Sequence, residues 1–346
     1  MKQITAFIQK SFQSFSSSII LPLNKIGYHL VQCAKAITYI ETLGEHADTL
    51  HLWIKESYEE DFKKSFETQV KKALKRLPTS FAKLAFDITS EPFYGKTRSL
   101  YIFNTKGKKY DGEFHFLNVC LIIRNRQIPL MALPLMVGEG SAKKTIGLLK
   151  YCQTLFTRIR FAVFDRGFYI AELIDYLESI KIKYIIYVPE RGEAIKGYVE
   201  QTEELGKFTH QLNYQKEKSS WRPKTKMVVC KGIDDFAWIF ATNINFRTRA
   251  EYIWHYKRRW QIETNFRVED EGRIKSKSSN RLIRYFYFLV GLLLHLLWIV
   301  NKNLNYYTPY KKYLDIIEHE LLFGYLEIHG IQPYVIAAAL FKQRYN

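Results

Sequence analysis

One stretch constrains the fold more than any other. Phe161, Ala162, Val163 and Phe164 form an apolar run too continuous for a half-exposed strand, and it stops at Asp165. Residues 168–180 then repeat with helical period, and Tyr184 to Val188 form a second apolar run closed by Pro189. Strand, helix and strand within about thirty residues predict a βαβ unit with two parallel, fully buried strands. Side chains that carry chemistry gather at the carboxyl ends of such strands. Asp165 stands at one of those ends, and Gly167 is expected to give the backbone room to turn.

The flanking segments extend this α/β core. Phe81 to Thr89 is a short apolar run that reaches a carboxylate at Asp87 before the breakers Pro92 and Gly95. Ser99 to Asn104 and Phe114 to Arg124 read as two further strands, completing an antiparallel meander, and Ser141 is expected to cap a helix running to about Arg158. Residues 190–246 read as a β-rich insertion placed before a second helical region that begins at Arg249. Residues 1–79 lack strand alternation: from Asp61 to Leu77 the apolar positions 62, 66, 70, 73, 74 and 77 keep helical spacing with lysines opposite, until Pro78 stops the pattern. The organisation expected is a helical N-terminal region at 1–79 with DNA-end recognition as its task, a catalytic domain at 80–300, and a helical extension at 301–346.

Charge narrows the partner. Fifty-two Lys and Arg against 34 acidic residues leave a net charge of +18, which favours a polyanion, with nucleic acid first. Between Arg247 and Arg284 there are 11 basic and five acidic residues, with Trp254, Tyr256, Trp260 and Phe266 interleaved. The four cysteines are scattered, so neither a disulfide framework nor a zinc site is expected, and a reducing cytosol suits them. The longest apolar run, Tyr285 to Val300, has 16 residues with His295 inside it; a buried core helix is expected rather than a membrane span.

The basic stretch contains its own carboxylate. On a helix, Tyr256, Arg259, Trp260, Glu263 and Arg267 share one stripe, so Glu263 sits among cations and aromatics. Asp87, Asp165 and Glu263 in this order give the layout of a ribonuclease H-like fold: a mixed sheet flanked by helices, with three acids converging at one edge. Three confined carboxylates raise each other's pKa unless cations offset them, and oxygen donors without His or Cys suit Mg²⁺, with Mn²⁺ as a substitute.

Two motifs carry a family resemblance. Tyr256-x2-Arg259-x3-Glu263 resembles the Tyr-Arg-Glu-Lys signature of DDE transposases of prokaryotic insertion sequences, and Phe164-Asp165-Arg166-Gly167-Phe168 looks like their second-aspartate motif. The lysine of the signature, seven residues after the glutamate, is Asp270 here. The resemblance covers residues 80 to 300. It implies that Asp87, Asp165 and Glu263 are catalytic and hold two metal ions, for cleavage and strand transfer at the ends of an insertion sequence. It also implies that Tyr256, Arg258, Arg259, Trp260 and Arg267 contact DNA, with Trp260 or Trp254 stacking on an unpaired base. The partners implied are double-stranded transposon ends and target DNA, bound by a homodimer in the prokaryotic cytoplasm at the nucleoid, with no membrane. Two alternatives stay open: a silent DNA-binding remnant, which Asp270 favours, and a nuclease of the same fold that cuts without joining.

Overall fold

The computed structural model describes residues 2–12, 23–43, 45–77, 81–105, 109–123, 126–216, 219–260, 272–303 and 308–328. They fall into two compact units: one comprises Met1–Leu77, Phe93–Thr97 and Arg267–Asn346, the other Pro78–Pro92 and Arg98–Phe266.

The first unit is helical among its described residues. It holds α1 (Lys2–Ser11), α2 (Leu23–Ala36), α3 (Glu45–Glu56) and α4 (Glu59–Leu74). In α4, Phe62, Phe66, Val70 and Ala73 are buried, as their spacing requires. Glu59, Glu60 and Asp61 in its first turn and Lys71 and Lys72 in its last complement the helix dipole. The two later helices of this unit run Arg281–Asn303 and Tyr310–Ile328. The first of them is long and apolar enough to cross a membrane, yet 89% of its most apolar window is buried inside the chain. Phe286 from that helix meets Phe7 at 5.8 Å and Phe62 at 5.3 Å between ring centroids, so the apolar run serves as this unit's core.

The second unit is built on a nine-stranded sheet. Its strands are β1 (Ala82–Phe93), β2 (Phe103–Asn104), β3 (Gly112–Ile123), β4 (Arg126–Pro134), β5 (Ile159–Phe164), β6 (Tyr184–Tyr187), β7 (Leu205–Gln211), β10 (Lys224–Cys230) and β11 (Trp238–Thr242). A separate hairpin supplies β8 (Tyr214–Lys216) and β9 (Ser219–Trp221). The order is β2-β3-β1-β5-β6-β11-β10-β7, with β4 paired to β3 alone. At the centre β1, β5 and β6 run parallel, and Leu84 to Phe86, Phe161 to Phe164 and Tyr184 to Ile186 are buried, as expected of strands covered on both faces. The helices of this unit are α5 (Ser141–Leu155), α6 (Ala171–Ser179), α7 (Glu193–Glu200) and α8 (Arg249–Lys257); with these in place, the later helices of the first unit are α9 and α10.

Several local expectations are corrected. The first three strands do not form a meander, because β3 lies between β2 and β1 and takes its hairpin partner from β4. Two prolines hide β4 in the sequence; an edge strand tolerates them, and Pro129 sits beside the register shift at Cys120. β1 does not stop at Asp87 but continues to Phe93; what stops there is the β5 ladder, whose last pair is Phe86 with Phe164. Only Phe103 and Asn104 of the 99–104 segment are extended. Gly140, not Ser141, occupies the N-cap of α5, with no side-chain cap. Gly167 has no positive φ and a Cβ there would meet nothing, so the turn does not require glycine. The β-rich stretch at 190–246 is present, and β7, β10 and β11 of it extend the central sheet.

Candidate active site

Alternation along the parallel strands sets the site. On β1, Lys83, Ala85 and Asp87 point to one face; on β5, Phe161, Val163 and Asp165 point to the same face. α8 lies over that face, because Tyr252, Ile253 and Tyr256 share a buried cluster with Phe161, Val163, Ile185 and Phe240. Its N-terminus is fixed by a capping box in which Thr248 and Glu251 satisfy each other's backbone N–H groups. The helix thus arrives over the strand ends with its last turn beside the two aspartates.

There Arg259 is buried with its guanidinium between both acids. Nη1 lies 3.5 Å from Asp87 Oδ2 and Nη2 lies 3.7 Å from Asp165 Oδ1. Tyr256 donates its hydroxyl proton to Asp165 Oδ1 at 3.2 Å, and the backbone N–H of Ile88 donates to Asp87 Oδ1 at 2.9 Å. Burial raises the Tyr256 pKa, and the charge of Asp165 raises it further against the opposing effect of Arg259, so the phenol remains a donor at neutral pH. Burial works against the charge on Arg259, but Tyr256, Asp87 and Asp165 together hold its pKa above the usual value. Two like charges are thereby kept adjacent by one buried cation.

Two supporting residues were not anticipated. Gln127 on β4 donates its side-chain amide to the carbonyls of Arg258 at 3.2 Å and Arg259 at 3.4 Å, fixing the 3₁₀ turn Arg258–Trp260 that follows α8. Tyr187 closes β6 and packs its ring 5.5 Å from that of Tyr256; burial foremost raises its pKa, with Arg166 opposing and Asp165 and Glu190 adding. The end-of-strand rule that found Asp165 also points to Tyr187, whereas Gln127 was hidden with its strand.

The helix expected to run through the signature gives way to that 3₁₀ turn at Arg258, so Tyr256 and Arg259 meet at Asp165 rather than simply sharing a helical stripe. Arg258 places its guanidinium 4.5 Å from the exposed Trp254 ring. Glu263, Arg267, Asp270 and the side chain of Trp260 lie outside the described residues.

A family model described as a transposase DDE domain matches residues 85–298, a span that takes in Asp87, Asp165 and Glu263. The chain belongs to the DDE transposase family. Among solved structures, the cryo-EM structure of a piggyBac transposase synaptic complex with hairpin DNA is similar, with a TM-score of 0.58 over 96% of this chain and 78% of that one. At 10% identity the likeness concerns the fold, which is ribonuclease H-like in the DDE domain. No curated protein matches by sequence.

The donor set suits a divalent cation. Among the described residues there is no cluster of three His, Cys, Asp or Glu side chains, but Asp87 and Asp165 already converge on a single positive group. Both offer hard oxygen donors, and Asp165 is one-third exposed at the strand ends, so an ion could approach from solvent.

Proposed function

We propose that this DDE transposase cuts DNA at the ends of an insertion sequence and joins the freed 3′-hydroxyl to a target strand. Asp87, Asp165 and Glu263 would hold divalent ions, Mg²⁺ by the chemistry of their oxygens, with Mn²⁺ as a substitute. When bound, two such ions supply charge stabilisation at the attacking and leaving oxygens of an in-line displacement at phosphorus. The single observation that carries the reading is the convergence of Asp87 and Asp165 on Arg259 at the ends of two parallel strands.

The chain's own residues have separate tasks. Tyr256 fixes the orientation of Asp165 through its hydroxyl, which keeps that carboxylate ready for a cation. Arg259 offsets the paired carboxylates and, as charge accumulates nearby, can turn its guanidinium toward a DNA phosphate. Arg258, Trp260 and Arg267 would add contacts to the same strand. Exposed Lys64, Lys72, Lys75 and Arg76 on or just after α4 support a DNA-end contact by the N-terminal helices. Joining two ends calls for two copies of the chain on double-stranded DNA.

The test is nicking and strand transfer of DNA carrying the flanking inverted repeats, with Mg²⁺ present, by the wild type and by Asp87→Asn and Glu263→Gln. Cutting and joining by the wild type alone is the expected result. Cutting without joining would leave a nuclease, and binding of the ends without any cut would leave a DNA-binding remnant.

A further inference from the structure

Arg259 lies between the two aspartates, yet neither depends on it for position. Asp87 accepts the Ile88 backbone N–H on Oδ1 and turns Oδ2 to Arg259. Asp165 accepts the hydroxyl of Tyr256, whose ring packs against Tyr187 at 5.5 Å and Phe240 at 5.2 Å. The strand backbone and a packed ring therefore hold the acids, and both carboxylates stay in place when the guanidinium moves.

The grip of the acids on Arg259 is one of charge. Nη1 and Nη2 reach different carboxylates at 3.5 and 3.7 Å, instead of forking onto one of them at the about 2.7–2.9 Å of a short charge-assisted bond. The backbone of the turn is pinned separately, by the Gln127 amide on the carbonyls of Arg258 and Arg259. Withdrawal is thus a rotation of one side chain about a fixed turn. The side chain of Arg259 is 5% exposed, against 16% for Asp87 and 34% for Asp165, so the acids are more open to solvent than the cation that joins them. With Arg259 in place the two carboxylates carry one uncompensated negative charge, and without it they carry two. A divalent ion and a guanidinium compete for such a pair, since each repels the other at short range. A DNA phosphate offers the guanidinium the planar, bidentate partner that the two separate acids do not.

We propose that Arg259 is a built-in counter-cation that competes with a divalent ion for Asp87 and Asp165 and gives up that place when a DNA phosphate takes its guanidinium, so that metal loading is coupled to DNA binding. This rests on the metal-dependent cleavage reading above. Because both ligands draw on one group, each tightens the binding of the other by the same factor.

The test follows Mn²⁺ binding to the full chain through the EPR signal of the free ion, with no cleavage measured. Arg259→Met keeps the aliphatic stem and removes the charge beside the acids, and should bind Mn²⁺ on the order of tenfold more tightly than the wild type. Arg259→Met/Asp165→Asn should lose that gain. Arg166→Gln removes the same charge from the exposed residue next to Asp165 and should stay within about twofold of the wild type, because solvent and salt screen it. A DNA duplex of arbitrary sequence, with DNA alone as the blank, should tighten Mn²⁺ binding to the wild type more than to Arg259→Met. Should Arg259→Met fail to fold, the wild type decides alone: phenylglyoxal, which reacts with accessible guanidinium groups, should modify Arg259 several-fold faster in Mn²⁺ than in chelator, as read from the mass of its peptide. The inference is overturned by equal Mn²⁺ affinity in the wild type and Arg259→Met, by a gain that survives Asp165→Asn or is matched by Arg166→Gln, by equal tightening with DNA, or by equal phenylglyoxal rates. Nicking by the wild type would then leave the cleavage reading standing, whereas Mn²⁺ bound by neither protein, with or without DNA, would overturn both.

Discussion

The two ends of the sheet face beneath α8 are made by the same strands and the same helix, yet they handle charge in opposite ways. At one end Asp87 and Asp165 are compensated inside the protein by Arg259 and a hydroxyl from Tyr256. At the other, Lys83 lies against the Phe161 ring and within the field of Arg258 and Arg160. The first arrangement keeps two carboxylates together until something more positive arrives. The second gathers cations over aromatic rings, where each lowers the proton affinity of its neighbours. A strand's register thus decides which side chains share a face, and position along the strand decides what that face attracts.

The contrast can be broken most severely at the carboxylate end. Asp165→Asn removes one oxygen charge while keeping shape, and cleavage should fall on the order of a thousandfold while binding of a metal-free strand stays at or above the wild-type level. Parallel loss of binding and cleavage would mean that the two ends are not separate in function. A smaller effect is expected at the cation between the acids. Arg259→Met leaves Asp87 and Asp165 facing each other, and urea denaturation in the presence of a chelator should show a loss of about 2 kcal/mol, less than for a fully buried pair because Asp165 is partly exposed. Added Mg²⁺ should restore part of it; unchanged stability in chelator would deny Arg259 its compensating role.

The smallest effect belongs to the cationic end and depends on pH. Folded His255 titrates near 4 rather than 6.5, from burial first and then Lys83, Arg258 and Arg160, with Glu251 acting in the other direction. Between those values the unfolded chain takes up a proton that the folded chain refuses, so stability is full above pH 6.5 and falls as pH drops toward 4. After discounting for partial exposure the loss is about 1 kcal/mol. His255→Phe should flatten this part of the stability curve, and identical curves for both proteins would show that burial and the neighbouring cations do not hold the His255 pKa down.

Much of the site was legible because its signals are local. An unbroken apolar run ending in Asp165, a helical period and a second apolar run fix a parallel pair by burial alone. Asp87 could be placed for the same reason, although β1 continues beyond it along β3. β4 was not legible, since Pro129 and Pro134 argue against a strand unless its edge position is known, and Gln127 went with it. The joining of β7, β10 and β11 to the central sheet was equally hidden, because pairing between distant strands leaves no periodic trace in either one.

By itself the sequence determined that this chain would bury parallel strands, place aspartates at or beside the end of their ladder, carry an excess of basic residues, and hold the motifs that resemble those of DDE transposases. Burial, alternation and charge act over a few residues, so they can be read there. Only the tertiary structure decided that Arg259 stands between Asp87 and Asp165, and that Lys83 comes within the field of Arg258 and Arg160. Those meetings depend on where α8 crosses the strands, and that crossing is set by the packing of Tyr252, Ile253 and Tyr256 against residues far away in the chain.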